Sequence, residues 1–353
     1  MESLQRIIIT GIIALSAAAC SSAPDGALPR AERTDINTSV FDSVFFWGDC
    51  RGTDEIHGMV VVKDGAVIYE NYTTGHSAEE LHVCWSASKT FTATAVGFAV
   101  QDGLLSVDDP VTKFFPEVVN PDPRMEKLTV KNLLIMSSGL PDALGEKYRT
   151  KTDPQVSKYI LEQDFHFTPG EAWEYNSGNT YICSAIVTRV TGKKVEDYLK
   201  EKLFDKIGIL DYEWEVSAEG CNMGGWGLHT TTENLAKMGL WMLQRGEWNG
   251  EQILNREWFD EAMSVQMLQY KAELDGTNDG QLMEKYKGNE SRQGYGYQMW
   301  RCSIGEDVFR LDGAHGQYSI IIPEKNAVVA VTANARDTHA ILRDVWKYVY
   351  AEL

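Results

Sequence analysis

Several motifs that mark common enzyme classes are missing from this 353-residue sequence. It has no HExxH and no CxxC spacing, so the sequence gives no support for a structural or catalytic zinc site. The GxSxG turn that carries the nucleophile of the α/β-hydrolases is also missing. No cofactor motif takes their place, and we expect neither a metal nor a cofactor.

An excess of basic residues is also lacking. The net charge is -18, whereas a nucleic-acid-binding surface must be basic, so we expect no nucleic-acid partner. The same negative field disfavours strongly anionic substrates at low salt, although acidity is equally the ordinary way in which an exported protein stays soluble. With 43% hydrophobic and 24% charged residues, the chain has the composition of a globular protein.

The N-terminal apolar run, residues 7–19, is too short to span a bilayer. It follows Arg6 and ends in small residues, the pattern of a signal peptide over residues 1–20. Ala17-Ala18-Ala19-Cys20 resembles a bacterial lipobox, which predicts lipidation of Cys20 and a flexible tether over residues 21–35. The chain would then be an exported periplasmic or cell-surface lipoprotein whose only membrane attachment is the lipid. The alternative is ordinary cleavage with Cys20 incidental.

Cysteine is scarce after position 20. Five remain, an odd number, so at least one thiol would stay unpaired even in an oxidising compartment. They are Cys50, Cys84, Cys183, Cys221 and Cys302.

The rest of the chain, residues 36–353, is interpreted as one domain with strands at both ends and helices between. This order predicts an α+β fold in which strands from both chain ends form a mostly antiparallel sheet. The predicted strands include a hairpin turning at Asp64-Gly65, and helix stops are indicated at Gly192 and Gly208. The predicted strands span 59–63, 66–72, 317–322 and 327–333; the predicted helices span 87–102, 179–190, 195–206 and 338–351.

Two further helices are predicted from their N-terminal caps. Thr129 would cap a helix ending near Gly139, and Thr230 with Glu233 would form a capping box for a helix ending at Gly246. The polar residues 266–292 form a surface excursion, which is either a lid or a plain loop.

One tetrapeptide offers a serine nucleophile with a base beside it. Ser86-Ala87-Ser88-Lys89 is the single SxxK of the sequence, and it stands at the head of a strongly apolar helix. Residues three apart share a helix face, so the Lys89 amine can reach the Ser86 hydroxyl. Burial favours the neutral amine, which can act as the base that a serine nucleophile needs. A Ser-His-Asp arrangement is not excluded, because its members need not be adjacent.

The motifs that accompany this SxxK give the chain a family resemblance. Together they are similar to the serine β-lactamase-related family, which includes class C β-lactamases, DD-peptidases, esterases and D-amino-acid amidases. The resemblance covers roughly residues 55–350. Its motifs occur, in order, at residues 85–91, 102–111, 128–134, 138–140, 169–178, 224–228, 294–298 and 313–318.

The resemblance implies a β-lactamase/transpeptidase-like fold and a set of roles. Ser86 matches the nucleophile, Lys89 the base, and Tyr175 the tyrosine of the YxN motif, which relays a proton to the leaving group. The backbone N–H groups of Ser86 and Gln317 would form the oxyanion hole.

Two positions depart from the family pattern. The third position of YxN is Ser177 rather than Asn. Whether one of the neighbouring residues, Asn176 or Asn179, takes over the role of that Asn is left open. The triplet that reads KTG in penicillin-recognising relatives is Ala314-His315-Gly316 here, so the lysine that helps bind a substrate carboxylate is replaced. Ser177, His315 and Gly316 are the expected substrate-binding residues, although His315 could equally fill a strand edge.

These residues lead to the hypothesis of a serine hydrolase that cleaves an ester or amide of a small molecule or peptide through an acyl-enzyme on Ser86. One alternative is a non-catalytic ligand-binding or sensor domain of the same fold, and another is a true β-lactamase or DD-carboxypeptidase, which the missing lysine disfavours. Ser86 as a mere helix cap and Tyr175 as a core tyrosine are the structural alternatives. The oligomeric state is left open.

Overall fold

The computed structural model describes residues 26–46, 56–145, 147–269, 279–305 and 307–353. The predicted signal peptide, Cys20 and Cys50 lie outside these ranges. Among the residues described, no helix combines the length and apolar character needed to cross a membrane.

The predicted antiparallel sheet is confirmed, and it joins the two ends of the chain. Its strand order is β2-β1-β11-β10-β9-β8, so a strand from the N-terminal part pairs directly with the last strand of the chain. Smaller sheets have the orders β3-β5-β4 and β6-β7. The strands are β1 (Ile56–Lys63), β2 (Ala66–Tyr72), β3 (His82–Val83), β4 (Tyr212–Trp214), β5 (Leu228–Thr230), β6 (Glu247–Trp248), β7 (Glu251–Gln252), β8 (Trp300–Arg301), β9 (Phe309–Gly313), β10 (Gln317–Ile322) and β11 (Ala327–Ala333).

The strands β1, β10 and β11 of the large sheet are buried on both faces, which explains their nearly continuous apolar sequences. Along β11, Val328 and Ala330 belong to one apolar core, whereas Val329 and Val331 belong to the other. Because alternate residues of a strand point to opposite faces, one strand contributes to both cores.

Helices fill the region between the sheet strands and also cover the sheet. The helices are α1 (Ser43–Phe46), α2 (Ser88–Gln101), α3 (Val130–Leu134), α4 (Lys147–Thr152), α5 (Val156–Leu161), α6 (Ser177–Thr191), α7 (Val195–Leu199), α8 (Asp205–Ile207), α9 (Thr232–Leu243), α10 (Arg256–Ala262), α11 (Asp279–Lys285) and α12 (Thr338–Asp344). Helix α9 packs on β1, β10 and β11, and α2 packs against α6.

The local turn signals are found where the sequence places them. Asp64 and Gly65 have φ values of 51° and 85° in the β1–β2 turn, and Gly192 and Gly208 end their helices in the left-handed conformation. The predicted helix 195–206 is not uniform, since π-helical turns at Lys200–Phe204 separate α7 from α8. The last helix likewise continues from α12 as π-helical turns over Val345–Tyr350.

One of the two predicted helix caps needs correction. Thr230 is not the cap of α9: it is the last residue of β5, and its hydroxyl donates to the Asp211 carbonyl. The side chain of Thr231 caps α9 instead, by accepting from the Asn234 N–H. Thr129 does cap α3, in a capping box with Asn132.

The extents of three predicted segments also differ from the structure. Helix α9 ends at Leu243 rather than at Gly246, and α3 ends at Leu134, well before Gly139. Within the predicted excursion, residues 279–285 form α11; residues 270–278 lie outside the described part of the chain.

Part of the predicted tether is bound to the domain. Leu28 is buried, and its N–H donates to Glu233 of α9 at 2.7 Å. Arg30 forms ion pairs with Glu70 and Glu233. Ala31 donates to the carbonyl of Val67 on β2, so the packed domain begins several residues before position 36.

The cysteines within the described ranges are all free and buried. Burial raises the pKa of the Cys84 thiol, two residues before Ser86, to about 12. Cys84 is therefore a protonated packing residue at neutral pH rather than a second nucleophile.

We predict that Gly239→Ala destabilises the fold although alanine is the better helix former. A Cβ at this position of α9 would lie 2.3 Å from Ser319 Oγ and 2.7 Å from Val328 Cγ1, on β10 and β11. An approach of 2.3 Å should place the overpacking cost at about 2–3 kcal/mol, the upper part of its usual range, against a propensity gain of about 1 kcal/mol, so we expect a net loss of about 1–2 kcal/mol in urea denaturation. The control Val119→Ala, on the surface, should stay within about 0.5 kcal/mol of wild type. An unchanged or increased stability of Gly239→Ala would contradict the tight α9–sheet contact.

Candidate active site

A strained turn carries Ser86 into the head of α2. Trp85–Ala87 form a single 3₁₀ turn that continues directly into α2, and Trp85 has a φ of 47°, which a bulky residue rarely adopts. The turn lies against β9 so closely that a Cβ at Gly313 would be 2.2 Å from the Cys84 carbonyl oxygen. Packing against the sheet therefore fixes the direction of the Ser86 hydroxyl.

The Lys89 amine lies at the centre of the site. Its Nζ is 3.3 Å from Ser86 Oγ, 3.0 Å from Ser177 Oγ and 2.7 Å from the Gly225 carbonyl oxygen. Only 1% of the residue is exposed. Three separate segments of the chain thus hold one amine beside one hydroxyl.

Burial sets the protonation of this amine. Removal from water lowers the pKa of Lys89 to about 7, and the negative charge of Asp142 opposes that fall only in part. Near neutral pH a large fraction of Lys89 is therefore neutral and able to accept a proton from Ser86.

Tyr175 completes this group. Its ring centroid lies 5.0 Å from Lys89 Nζ. Burial raises the pKa of the phenol well above its usual value, while a hydrogen bond with the Ser86 side chain opposes the rise. The phenol consequently stays protonated at neutral pH and can act as a proton donor beside Ser86.

The third position of the YxN pattern keeps its contact with the lysine. Ser177, the first residue of α6, accepts the hydrogen bond from Lys89, so neither Asn neighbour replaces it there. The Asn176 side chain instead caps α6 and binds the Leu140 carbonyl. Asn179 is buried and its amide contacts Met136 Sδ at 3.8 Å.

The carbonyl of Gly225 was not indicated by the sequence as a partner of Lys89. It belongs to the Gly224-Gly225 pair, which passes between α2 and α6. A Cβ at Gly225 would lie 3.3 Å from Lys89 Nζ, and one at Gly224 would lie 2.8 Å from the Thr180 carbonyl oxygen. Glycines have no side chain and so permit this close approach. The Gly-Gly pair in the sequence is the signal that could have identified the contact with Lys89.

The remaining predicted residues lie in the hairpin between β9 and β10. Gln317 begins β10, and its side chain binds the backbone of Ala333 on β11. Gly316 is buried with a φ of 93°, and His315 is exposed, with its ring 5.6 Å from the ring of Trp85. The hairpin turn thus adjoins the Ser86 turn, whereas the oxyanion-hole role of the Ser86 and Gln317 N–H groups stays a prediction.

An aromatic wall stands beside Tyr175. Trp300 lies 5.6 Å from the Tyr175 ring and Trp173 lies 6.0 Å from it, and both keep part of their surface exposed. Tyr295 packs behind them, 5.2 Å from Trp300. Apolar or aromatic parts of a substrate would find contact area here.

The central side chains differ from a metal-binding set. Ser86, Lys89, Tyr175 and Ser177 offer one amine and three hydroxyls, which suit proton transfer and acyl chemistry rather than coordination of a divalent cation.

Comparison with known proteins places this geometry in context. Residues 50–351 match the Beta-lactamase family model. An uncharacterized protein from Alkalihalophilus pseudofirmus is 27% identical over 322 residues, covering 81% of this chain and 85% of that protein. The 6-aminohexanoate-dimer hydrolase of Paenarthrobacter ureafaciens is 24% identical over 292 residues, covering 77% of this chain and 70% of the hydrolase.

Solved structures show the same fold. A putative 6-aminohexanoate-dimer hydrolase from Bacillus anthracis superimposes with a TM-score of 0.69 at 18% identity, covering 92% of this chain and 84% of that one.

We predict that the reactivity of Ser86 toward a fluorophosphonate rises with pH with a midpoint of about 7, the pKa of Lys89. If the neutral Lys89 amine acts as the base, the base is present above the pKa of Lys89 and is lost by protonation below it. Labelling rates between pH 5.5 and 9 test this. Lys89→Arg should label slowly at every pH, because a guanidinium stays charged. A wild-type rate that does not vary over this range would contradict the assignment.

The buried amine should also make stability depend on pH. The pKa of Lys89 falls from 10.5 to about 7 on folding, so between these values the unfolded chain binds more protons and stability rises with pH. Relative to Lys89→Met, the wild type should therefore gain about 2–3 kcal/mol in unfolding free energy between pH 6.5 and 9. Urea denaturation of both proteins at the two pH values measures it. A difference that does not vary with pH would show that Lys89 stays protonated in the fold.

Proposed function

This chain belongs to the beta-lactamase family, and on that premise we propose that it is a serine hydrolase that cleaves an ester or amide through an acyl-enzyme on Ser86. The hydrolases among its relatives support this coarse activity. The observation that carries the finer assignment is the Lys89 amine, which is buried 3.3 Å from Ser86 Oγ with a pKa lowered to about 7.

The proposed reaction proceeds in two halves. Ser86 Oγ attacks the substrate carbonyl carbon while Lys89 Nζ takes the hydroxyl proton. The N–H groups of Ser86 and Gln317 bind the oxyanion of the tetrahedral intermediate. Tyr175, protonated because of its raised pKa, gives a proton to the leaving alcohol or amine as the carbonyl re-forms. The proton that Lys89 took then restores the Tyr175 phenol. Water attacks the acyl-enzyme carbonyl while Lys89 takes a proton from the water, the bond to Ser86 Oγ breaks, and that proton passes to Ser86 as the carboxylic acid product leaves.

The proposed substrate is an ester or a non-β-lactam amide. His315 occupies the place of the lysine that helps bind a carboxylate in penicillin-recognising relatives, and its ring lies beside Trp85. The exposed edges of Trp173 and Trp300 favour an apolar or aromatic group next to the scissile bond. The relative named as a 6-aminohexanoate-dimer hydrolase supports an amide of a small molecule.

We also propose that the enzyme works outside the cytoplasm as a lipoprotein attached through Cys20. The support is the sequence pattern of residues 1–20 alone.

We predict that Ser86→Ala abolishes both fluorophosphonate labelling and turnover. Loss of a serine nucleophile lowers kcat by about 10³-fold or more, and Tyr175→Phe should lower it by about 10²- to 10⁴-fold through loss of the proton donor. The measurement uses short p-nitrophenyl esters, p-nitroanilides of D-amino acids and nitrocefin with the wild type and both variants. Ser39→Ala, at an exposed serine, is the matched control.

The outcomes separate the candidate functions. Preference for an ester or an anilide over nitrocefin would support the proposed substrate class, and the reverse preference would favour a true β-lactamase. Labelling without turnover of any substrate would favour the sensor alternative. Turnover that survives in Ser86→Ala would disprove the mechanism.

A further inference from the structure

Three histidines without any motif in the sequence come together in the fold. One ring nitrogen of each of His57, His76 and His82 lies within 4.8 Å of one from each of the others. Among the residues described, this is the group that could hold a metal ion. They lie 19 and 6 residues apart in sequence, spacings that match no metal motif, so only the fold shows the cluster.

Each histidine comes from a different element. His57 lies in β1 at the point where the register with β11 shifts, and such bulges re-aim a side chain. His76 lies in the loop between β2 and β3, which is tied down by the Thr73 N–H bond to the His57 carbonyl and the His76 N–H bond to the Thr73 carbonyl. His82 begins β3 and pairs with Thr230 of β5.

The spacing of two ring nitrogens fits a tetrahedral ion. His57 Nδ1 and His82 Nδ1 are 3.4 Å apart, a long hydrogen-bond contact. Two nitrogens bound to Zn²⁺ at about 2.0–2.1 Å with tetrahedral angles lie about 3.4 Å apart.

Two further features resemble the surroundings of metal-bound histidines. Glu80 Oε2 is 2.7 Å from His76 Nδ1 and 3.6 Å from His82 Nε2. A carboxylate in this position fixes the ring tautomer and leaves the other nitrogen of each ring for the ion. His82 Nε2 is also buried without a hydrogen-bond partner, which is energetically costly. If Glu80 moved closer when the histidines bind an ion, it would supply this missing partner.

From this geometry we propose that His57, His76 and His82 form a binding site for a divalent transition-metal ion of the zinc type, with Glu80 as the carboxylate that orients the rings. Imidazole ligands suit zinc, and water would fill the fourth position. The His57 and His76 rings are stacked with centroids 3.8 Å apart, so one ring must turn for both lone pairs to reach one ion. His76 lies in a loop and is partly exposed, so we assign the turn to it, as a loop movement that pivots on the contact between His76 Nδ1 and Glu80.

The site would link the two main sheets near the proposed nucleophile. His57 belongs to the six-stranded sheet and His82 to the three-stranded one. The chain runs from His82 through β3 to Ser86 in four residues. A bound ion would therefore stabilise the folded state and the strand that leads into the Ser86 turn, without taking part in the reaction.

The test is Zn²⁺ binding to the purified full-length chain after metal removal, measured by competition with a chromophoric chelator. We expect one ion per chain with a Kd on the order of 10⁻⁷ M. His76→Asn and His82→Asn should each weaken binding by about 100-fold or more, and Glu80→Gln by about 10- to 100-fold. At a free Zn²⁺ concentration 100 times the Kd, the ratio of folded to unfolded protein should rise about 100-fold.

Two controls separate this site from the other groups of the protein. His339→Asn, at a histidine outside the cluster, and Ser86→Ala should bind Zn²⁺ as the wild type does. Because His76 lies in a loop, its variant is expected to fold even where the buried His82 variant does not. Co²⁺ should in addition give the strong visible absorption of a tetrahedral complex in the wild type and not in His76→Asn. Absence of stoichiometric binding, or binding that persists unchanged in His76→Asn, would overturn the proposal; the Ser86 mechanism would be unaffected.

Discussion

Burial of the Lys89 amine is the constraint on which the rest of the site depends. Lowering its pKa from 10.5 to about 7 corresponds to roughly 5 kcal/mol at neutral pH and below, a large part of the stability of an ordinary domain. The fold offsets this cost with two well-packed cores, one on each face of the sheet. It limits the cost by giving the amine three acceptors, Ser86, Ser177 and Gly225. A buried amine with fewer partners would be costlier still, and an exposed one would be a poor base at neutral pH.

The same amine explains why distant parts of the chain must meet. Ser86 and Lys89 share a helix, but Ser177 is 88 residues from Lys89 and Gly225 is 136 residues from it. Packing of α2 against α6 brings Ser177 into position. Gly225 arrives only because the Gly224-Gly225 pair has no side chains to hold it away from these helices. The proposed catalytic group therefore depends on helix packing and on the absence of side chains at Gly224 and Gly225 as much as on its own side chains.

Whether a feature could be predicted from the sequence depends on how far apart in the chain its interacting residues lie. The Asp64-Gly65 turn, the helix end at Gly192 and the Ser86–Lys89 pair depend on residues a few positions apart, and the structure shows each of them. The family motifs also predicted the sheet that joins both chain ends, and this was confirmed. The sequence alone could not show whether Thr230 or Thr231 caps α9, because threonine is a good N-cap residue at either position. The pairing of β5 decides it, since Thr230 is part of that strand. The Gly225 carbonyl and the three-histidine cluster depend on contacts across the fold, which no local spacing encodes.

The charges around the site favour one class of substrate over another. Asp142 and Asp312 both raise the pKa of Tyr175, so negative charge already acts on the atoms that would meet the leaving group. Asp312 is held by the buried Arg310, which fixes this charge beside the aromatic wall. A substrate carboxylate at the hairpin would meet His315 rather than a lysine, within a chain of net charge -18. A neutral or cationic leaving group avoids placing a further negative charge near Asp142 and Asp312. These charges are one reason for proposing an ester or an amide with an uncharged or basic leaving group, rather than a β-lactam, as the substrate.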